Sequence, residues 1–379
     1  MYRIPLNRPF LAGDELRYMA ESIRCGQISG DGSFTRRCHR LLEQQLGAAR
    51  VLLTTSCTHA LEMAALLLNA GPGDEVVLPS FTFVSTANAF ALRGARPVFA
   101  DIRPDTLNLN EATLEQLVTP RTRVVVPVHY AGVGCEMDAI MHIAERHGIR
   151  VVEDNAHGLF ARYRGRHLGT IGCLGAQSFH ETKNIICGEG GALVINDAAF
   201  IERAEIIREK GTNRSLFFRG QVDKYTWVDV GSSYLPSDLL AAFLCAQLEK
   251  SAEVHCIRRR IWHTYIEQLK DWAEQRGVRL PVVPEECEQS YHMFYLILPT
   301  PQLRDGLIQH LKTQGIMAAF HYVPLHLSEM GRKLGGRLGQ FPVTEYVSER
   351  LVRLPFYNGL TEREQAEVVD AVKGFSGWA

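Results

Sequence analysis

From about residue 49 to residue 210 the chain alternates between two patterns. Short β-branched runs, apolar nearly throughout, end in polar residues, and stretches with apolar positions three and four apart follow behind helix-capping residues. The runs predict strands at Val51–Thr54, Glu75–Leu78, Arg96–Ala100, Arg123–Val128, Arg150–Glu153, Gly175–Phe179 and Ala192–Ile195. The periodic stretches predict helices at Thr58–Asn69, Val84–Arg93, Asp138–His147 and Ala198–Lys210. Near-continuously apolar strands alternating with helices make an α/β fold with a mostly parallel sheet of seven strands covered on both faces. Ligands of such sheets collect beyond the carboxyl ends of the strands. Thr54–Thr58, Asp101, His129, Asp154–His157 and Ser178–Lys183 all fall there.

After Gly211 the pattern becomes a polar, aromatic and basic loop to Trp227, then a helix over Ser237–Glu249 that continues into Arg258–Trp272. Strand signals at His292–Leu298 and Ala318–His321, with helical ones at Leu303–Gln314, Thr344–Leu351 and Thr361–Val372, predict a smaller α+β unit. The expected division is a large α/β domain over 1–250 and a small C-terminal domain over 251–379.

With 41 Lys+Arg against 42 Asp+Glu there is no global positive field for nucleic acid, so an anionic ligand must be held locally. No apolar run approaches the ~18 residues of a membrane span, and Arg3 and Arg8 have no apolar stretch behind them. A cytoplasmic protein with neither nucleic-acid nor membrane partners is expected. The nine cysteines include no Cys-x-x-Cys pair, which argues against disulfides and zinc, and His180-Glu181 lacks the second histidine of a zinc-protease helix, so no metal is expected. A P-loop and a Gly-x-Gly-x-x-Gly turn after the first strand are both missing.

Three elements carry chemistry. Thr54-Thr55-Ser56-Cys57-Thr58 joins an apolar strand to a helix, where hydroxyls and unpaired N–H groups suit an anion, although an ordinary N-cap would look the same. Val151-Val152-Glu153-Asp154 ends a buried strand in two carboxylates, with His157 three residues on; such an aspartate can face a cationic ring nitrogen or simply cap a loop. Lys183, in Ser178-Phe179-His180-Glu181-Thr182-Lys183-Asn184, precedes the glycine-rich turn Gly188-Glu189-Gly190-Gly191, where backbone can approach a ligand closely. Desolvation there would free its amine for nucleophilic work.

In this order the three elements resemble the site of the aspartate-aminotransferase fold, fold type I, whose cofactor is pyridoxal 5′-phosphate (PLP). Ser-Cys-Thr-x-Ala-Leu at 56–61, Pro-Ser-Phe-Thr-Phe-Val-Ser-Thr-Ala-Asn at 79–88, Pro-Val-His-Tyr-Ala-Gly at 127–132, Ser-Phe-His at 178–180 and Gly-Glu-Gly-Gly at 188–191 are similar to the DegT/StrS sugar-nucleotide aminotransferases. The similarity extends through His321-Tyr322-Val323-Pro324-Leu325-His326 and Arg353-Leu354-Pro355. The run Glu209-Lys210-Gly211-Thr212-Asn213-Arg214-Ser215 and on through Trp227 resembles members that aminate TDP-4-keto-6-deoxyglucose.

The resemblance implies a PLP enzyme that cycles through pyridoxamine 5′-phosphate (PMP), with L-glutamate as amino donor and a TDP-keto-sugar as acceptor. It makes Lys183 the lysine that carries the cofactor, Asp154 the partner of the pyridine nitrogen, and His157 the neighbour of the ring hydroxyl. Ser56, Cys57, Thr58 and Ser178 would hold the phosphate, Phe83 would stack on the ring, and Arg214, Arg219, Lys224, Tyr225, His321 and Tyr322 would meet the sugar nucleotide. It further implies a homodimer with its sites at the subunit interface. Ser233 stands where the family commonly has an asparagine that reaches the neighbouring subunit's cofactor phosphate, Leu235 where it has an arginine, and His157 where glutamine is frequent. Arg214 or Arg219 is the candidate replacement for the missing cation. Transamination at C3, or of a UDP or GDP sugar, is the alternative reading, and a PLP-binding regulator without turnover is a remote one.

Overall fold

The computed structural model describes residues 2–378 and gathers the seven strands into one sheet. They are β1 (Arg50–Thr54), β2 (Glu75–Pro79), β3 (Arg96–Ala100), β4 (Thr122–Val125), β5 (Arg150–Asp154), β6 (Leu174–Ser178) and β7 (Gly191–Ile195), in the order β1-β7-β6-β5-β4-β2-β3. Only β7 runs against its neighbours; the other pairings are parallel. All residues of β2, β6 and β7 are buried, as the uninterrupted apolar runs require of a sheet covered on both faces.

Alternation along the strands sorts the cover. Leu52, Val76, Leu78, Val152, Leu193 and Ile195 face a cluster built on α3 (Cys57–Leu67), α4 (Val84–Ala91) and α6 (Ile201–Arg208). On the other face Val51, Leu53, Ala192 and Val194 pack on α1 (Glu15–Arg24), α2 (Ser33–Leu46) and α8 (Asp238–Glu249), while Val77, Val125 and Val151 pack on α5 (Met137–His147). The two N-terminal helices lie before the alternating region and carry few uninterrupted apolar runs, so the strand–helix pattern does not announce them.

Several boundaries differ from expectation. β4 ends at Val125; the Val126 N–H still donates to the Val77 carbonyl of β2, and beyond it Val128 keeps only a bridge to Asp154. The basic loop holds a short helix, α7 (Arg214–Phe218), and the long helix breaks at Lys250 into α8 and α9 (Ser251–Arg276). Residues 318–321 make no strand; only Ala319 bridges, to Arg353.

A further apolar cluster joins one side of α9 (Ile261, Tyr265, Leu269) to the two-stranded sheet of β8 (Tyr295–Ile297) and β9 (Leu351–Arg353) and to helices α10 (Pro301–Thr313) and α12 (Glu362–Lys373). Ile4 is buried in it and bridges to Ile316, so the segment around Ile4 packs into the same cluster as α10. Phe81, Tyr130, Met293, Tyr295 and Leu351 form the seam between the two sheets. Asp101, at the end of β3, accepts from the N–H groups of Val343 and Thr344 and ties α11 (Pro342–Arg350) across the same seam. No helix among the described residues is long and apolar enough to cross a membrane.

Glu153 is fully buried within this frame. Its carboxylate accepts from the N–H groups of Gly169 (2.7 Å), Ile171 (2.6 Å) and Gly172 (2.7 Å) and meets His129 Nε2 at 2.9 Å. Glu153→Ala orphans these buried groups together and should cost at least about 3 kcal/mol at ~1–3 kcal/mol per unmet donor. Urea unfolding measures it; a loss under about 1 kcal/mol would show that water replaces the carboxylate.

Candidate active site

A cavity of about 650 Å³ opens where the carboxyl ends of β1, β5 and β6 approach the β8–β9 sheet. Its floor is the start of α3. Ser56 is the N-cap, its Oγ accepting from the His59 N–H at 3.1 Å, while the N–H groups of Cys57 and Thr58 bond to nothing among the described residues. Two free donors at the positive end of a helix form an anion cradle. β7 can lie against this turn because residue 191 is glycine: a Cβ there would sit 2.3 Å from the Ser56 carbonyl carbon and 2.4 Å from Cys57 N. The Thr58 hydroxyl donates to Ser85 Oγ at 2.7 Å, joining α3 to α4.

Asp154 enters from the end of β5 and is 5% exposed. Oδ2 accepts from Thr86 Oγ1 at 2.7 Å, and Thr86 meets Thr82 Oγ1 at 2.9 Å; Oδ1 accepts from the Ala156 N–H at 3.2 Å. The carboxylate is thereby fixed in direction with capacity left for a cation.

Lys183, half-buried in the turn after β6, lines the same cavity and makes no side-chain hydrogen bond among the described residues. Desolvation lowers its pKa to about 8, overcoming the upward pull of Cys57 and Asp154, and Arg353 lowers it further. The Cys57 thiol is pushed up by burial and then by Asp154, so it stays protonated.

His157 lies stacked on His292 with ring centroids 4.2 Å apart, and its Nδ1 accepts from the Ala131 N–H at 3.3 Å, leaving the ring proton on Nε2. Burial, with Lys183 nearby, holds His157 and His292 far below the usual histidine range; burial and Arg353 do the same for His321. All three imidazoles are neutral. His292 Nδ1 meets Asn184 Oδ1 at 2.9 Å, and Asn184 donates to the Ser290 carbonyl at 2.7 Å, which clips the residue after Lys183 to the 290–292 segment. Tyr130 Oη meets His321 Nδ1 at 2.9 Å. At the mouth Phe83 is 57% exposed, its ring 6.4 Å from that of Tyr322.

Ser56, Cys57, Thr58, Phe83, Asp154, His157, Ser178, Lys183, His321 and Tyr322 thus meet in one cavity, although five separate segments supply them. Ser233, Arg214 and Arg219 line a different cavity, of about 690 Å³, and Lys224 and Tyr225 are exposed and border neither. Arg214 pairs with Glu209 at 3.2 Å and Arg219 with Glu205 at 2.7 Å. Sequence reasoning missed Thr86, Asn184, His292 and Arg353. The Thr82-x-x-x-Thr86 spacing at a helix start was a usable signal; nothing local marks the others. Asp101 and His129, also at strand ends, serve the frame instead.

The chain matches the DegT/DnrJ/EryC1/StrS aminotransferase family over residues 9–373. It is 33% identical over 377 residues to the uncharacterized protein MJ1066 of Methanocaldococcus jannaschii, covering 98% of this chain and 97% of that one. It is 31% identical over 381 residues to the spore coat polysaccharide biosynthesis protein SpsC of Bacillus subtilis, covering 98% and 96%. Among solved structures, the putative sugar aminotransferase Spr1654 from Streptococcus pneumoniae in its PMP form superposes with a TM-score of 0.91 at 26% identity, over 98% of this chain and 97% of that one. The PLP form of the same protein gives 0.90 at 25%, over 98% and 98%.

The lowered lysine has a consequence with a definite sign. With a pKa of about 8, about a tenth of the amine is neutral at pH 7, against less than about one part in a thousand for an ordinary lysine. In cofactor-free protein, labelling of Lys183 by an amine-directed reagent should rise with pH to half its maximum near 8 and level off above it. Peptide mass spectrometry reads the profile, and a rise that continues to pH 10 would show that the cavity does not desolvate the amine.

Proposed function

The chain belongs to the DegT/DnrJ/EryC1/StrS aminotransferase family and is a PLP-dependent sugar aminotransferase whose cofactor alternates between PLP and PMP; from that premise we propose that L-glutamate is its amino donor and TDP-4-keto-6-deoxy-D-glucose its acceptor. The products are 2-oxoglutarate and a TDP-4-amino-4,6-dideoxyhexose of galacto or gluco form, the galacto case being the reaction of a dTDP-4-amino-4,6-dideoxygalactose transaminase. The observation that carries the chemistry is the meeting of Lys183, Asp154 and the free N-terminal donors of α3 in one cavity. The wording of residues 209–227 supports the substrate.

The residues present suit PLP. The unpaired N–H groups of Cys57 and Thr58, in the space that Gly191 leaves, suit its phosphate, with Ser56 and Ser178 beside them. Asp154 suits the protonated ring nitrogen, His157 with its Nε2 proton the ring hydroxyl, and Phe83 one ring face. When bound, the cofactor supplies an electron sink for the bond that breaks at the donor's α-carbon. The protein does the rest. Lys183 carries the cofactor; released as a free amine, it takes the α-proton from the donor and returns one at the acceptor, a role typically contributing ~10²–10⁴-fold. Thr86 and Thr82 aim Asp154, so that it holds its proton on the ring nitrogen rather than exchanging it with water. His321 and Tyr322 border the space left for the sugar.

In this reading the two units, 1–250 and 251–379, share the site, and a twofold homodimer completes it. Ser233, Arg214, Arg219, Lys224 and Tyr225, which lie away from their own Lys183, would serve the partner's cavity. Exposed Phe218, Tyr225 and Trp227 in the same loop support a covered surface there.

Lys183→Ala should abolish turnover, and Asp154→Asn should keep the cofactor but lose at least about 100-fold in rate; normal rates in either would remove that residue from the mechanism. Assay against TDP-, UDP- and GDP-keto-sugars, with the amine located by NMR, tests the substrate. Arg219→Ala should raise the KM for the sugar nucleotide more than that for glutamate, and equal effects would make the loop structural.

A further inference from the structure

His292 lines the Lys183 cavity, and it is held there more firmly than its packing requires. The residue before it, Tyr291, has φ 54°, in the left-handed region that bulky side chains avoid. Arg258 of α9 is fully buried and has no carboxylate partner among the described residues. Its guanidinium donates to the carbonyls of Tyr291 (2.9 Å) and His292 (2.6 Å) and to Asn358 Oδ1 (3.0 Å). A left-handed aromatic residue and a buried guanidinium without an anion both destabilise a fold. Both converge here on the direction of one imidazole.

The hydrogen bonds also decide where that ring keeps its proton. Asn184 Nδ2 donates to the Ser290 carbonyl at 2.7 Å, and a carbonyl can only accept, so the other amide atom, Oδ1, is the one that faces His292 Nδ1 at 2.9 Å. Nδ1 must therefore carry the proton. In a neutral imidazole this leaves Nε2 bare, and Nε2 has no hydrogen-bond partner among the described residues. One ring face is occupied by His157, at 4.2 Å between centroids, so the ring cannot turn to hide the lone pair without losing that stack.

A bare imidazole nitrogen accepts and cannot donate, so it answers neither a phosphate nor a carboxylate nor a ketone oxygen. Of the groups that enter the cavity of a sugar aminotransferase, hydroxyl and ammonium groups remain. The donor's nitrogen is the atom transferred and must give up its protons and bond elsewhere, whereas a sugar hydroxyl stays intact throughout. His292 is close enough to Lys183 for the lysine's charge to help keep the imidazole neutral, which places Nε2 near the carbon that reacts. In a 4-keto-6-deoxyhexose the only hydroxyl beside that carbon is the one on C3, since C5 carries the ring oxygen and the methyl group.

We propose that His292 Nε2 accepts a hydrogen bond from the acceptor's hydroxyl on the carbon next to its ketone, C3 in a 4-keto-6-deoxyhexose, and so selects sugars that keep this hydroxyl over their 3-deoxy counterparts. This rests on the keto-sugar reading of the cavity and names the residue that reads the sugar beside its reacting carbon. Arg258 and Asn184 act through His292 as positioning residues, one fixing its backbone and the other its tautomer.

The test uses H292N, whose amide N–H can still donate to Asn184 but which has no acceptor at the far position, and H292Q, whose Oε1 reaches the place of Nε2. In the holoenzyme, wild type should favour TDP-4-keto-6-deoxyglucose over its 3-deoxy analogue by at least about 10-fold in kcat/KM, because the analogue leaves Nε2 unmet. H292N should bring that ratio to within about twofold while the KM for L-glutamate also stays within about twofold, and H292Q should restore part of the preference. A second readout needs no turnover: ¹⁵N NMR of histidine-labelled protein should show the His292 proton on Nδ1 and a bare Nε2 near neutral pH, the signal being assigned by its loss from H292Q. A preference that H292N leaves unchanged, or a proton found on Nε2, overturns the proposal. If wild type aminates no keto-sugar, the functional reading fails separately, and the NMR spectrum still decides whether His292 offers an acceptor at all.

Discussion

The end of strand β5 is where the molecule's stability and its chemistry meet. Glu153 and Asp154 are adjacent, and the alternation of a strand sends their carboxylates in opposite directions. Glu153 is sealed among three N–H groups and His129, which holds the 169–172 turn against the strand. Asp154, one residue on, is thereby placed at the cavity with only Thr86 and Ala156 as partners. A charged group at a reaction centre works only if its position costs nothing at the moment of reaction. The buried glutamate provides that rigidity.

The cavity keeps its acid–base groups in useful states by excluding water rather than by matching charges. Desolvation frees part of the Lys183 amine near neutral pH and strips the protons from His157, His292 and His321, so the buried part of the site, with these three histidines, a lysine and an arginine, carries far less positive charge than its composition suggests. The wall that achieves this comes from both sheets. The seam of Phe81, Tyr130, Met293 and Tyr295 closes the cavity from below, and Asn184 with His292 ties the lysine turn to the smaller sheet. Movement between the sheets would therefore change the hydration of Lys183 directly.

Much of this is legible in the linear chain. Seven apolar runs form seven strands of one sheet, since a strand buried on both faces leaves an unbroken apolar signature, and the run at Arg123–Val128 outlasts its strand, β4, which ends at Val125. The anion turn at 54–58, the carboxylate at the end of β5 and the lysine before the glycine turn could be marked because each follows a strand directly. The glycine turn also has its reason: residue 191 lies against a peptide that no side chain could share. Arg353 and His292 were invisible as site residues, because each belongs to a segment whose own pattern is an ordinary strand or strand entry, and only packing turns them toward a lysine more than 100 residues away.

The sequence by itself therefore determined the sheet, its helical cover and the group of residues that ends its strands, because those depend on local period and on short strand-to-helix turns. Tertiary structure decided which of these ends meet, separating Asp154 and Lys183 from Asp101 and His129 by the order in which the strands pair. It also decided that Arg214, Arg219 and Ser233 stand at a different cavity from Lys183, and that Arg353 from the small sheet lines the Lys183 cavity. Burial and unmet hydrogen bonds arise only when distant segments close around a group, and no local pattern records them.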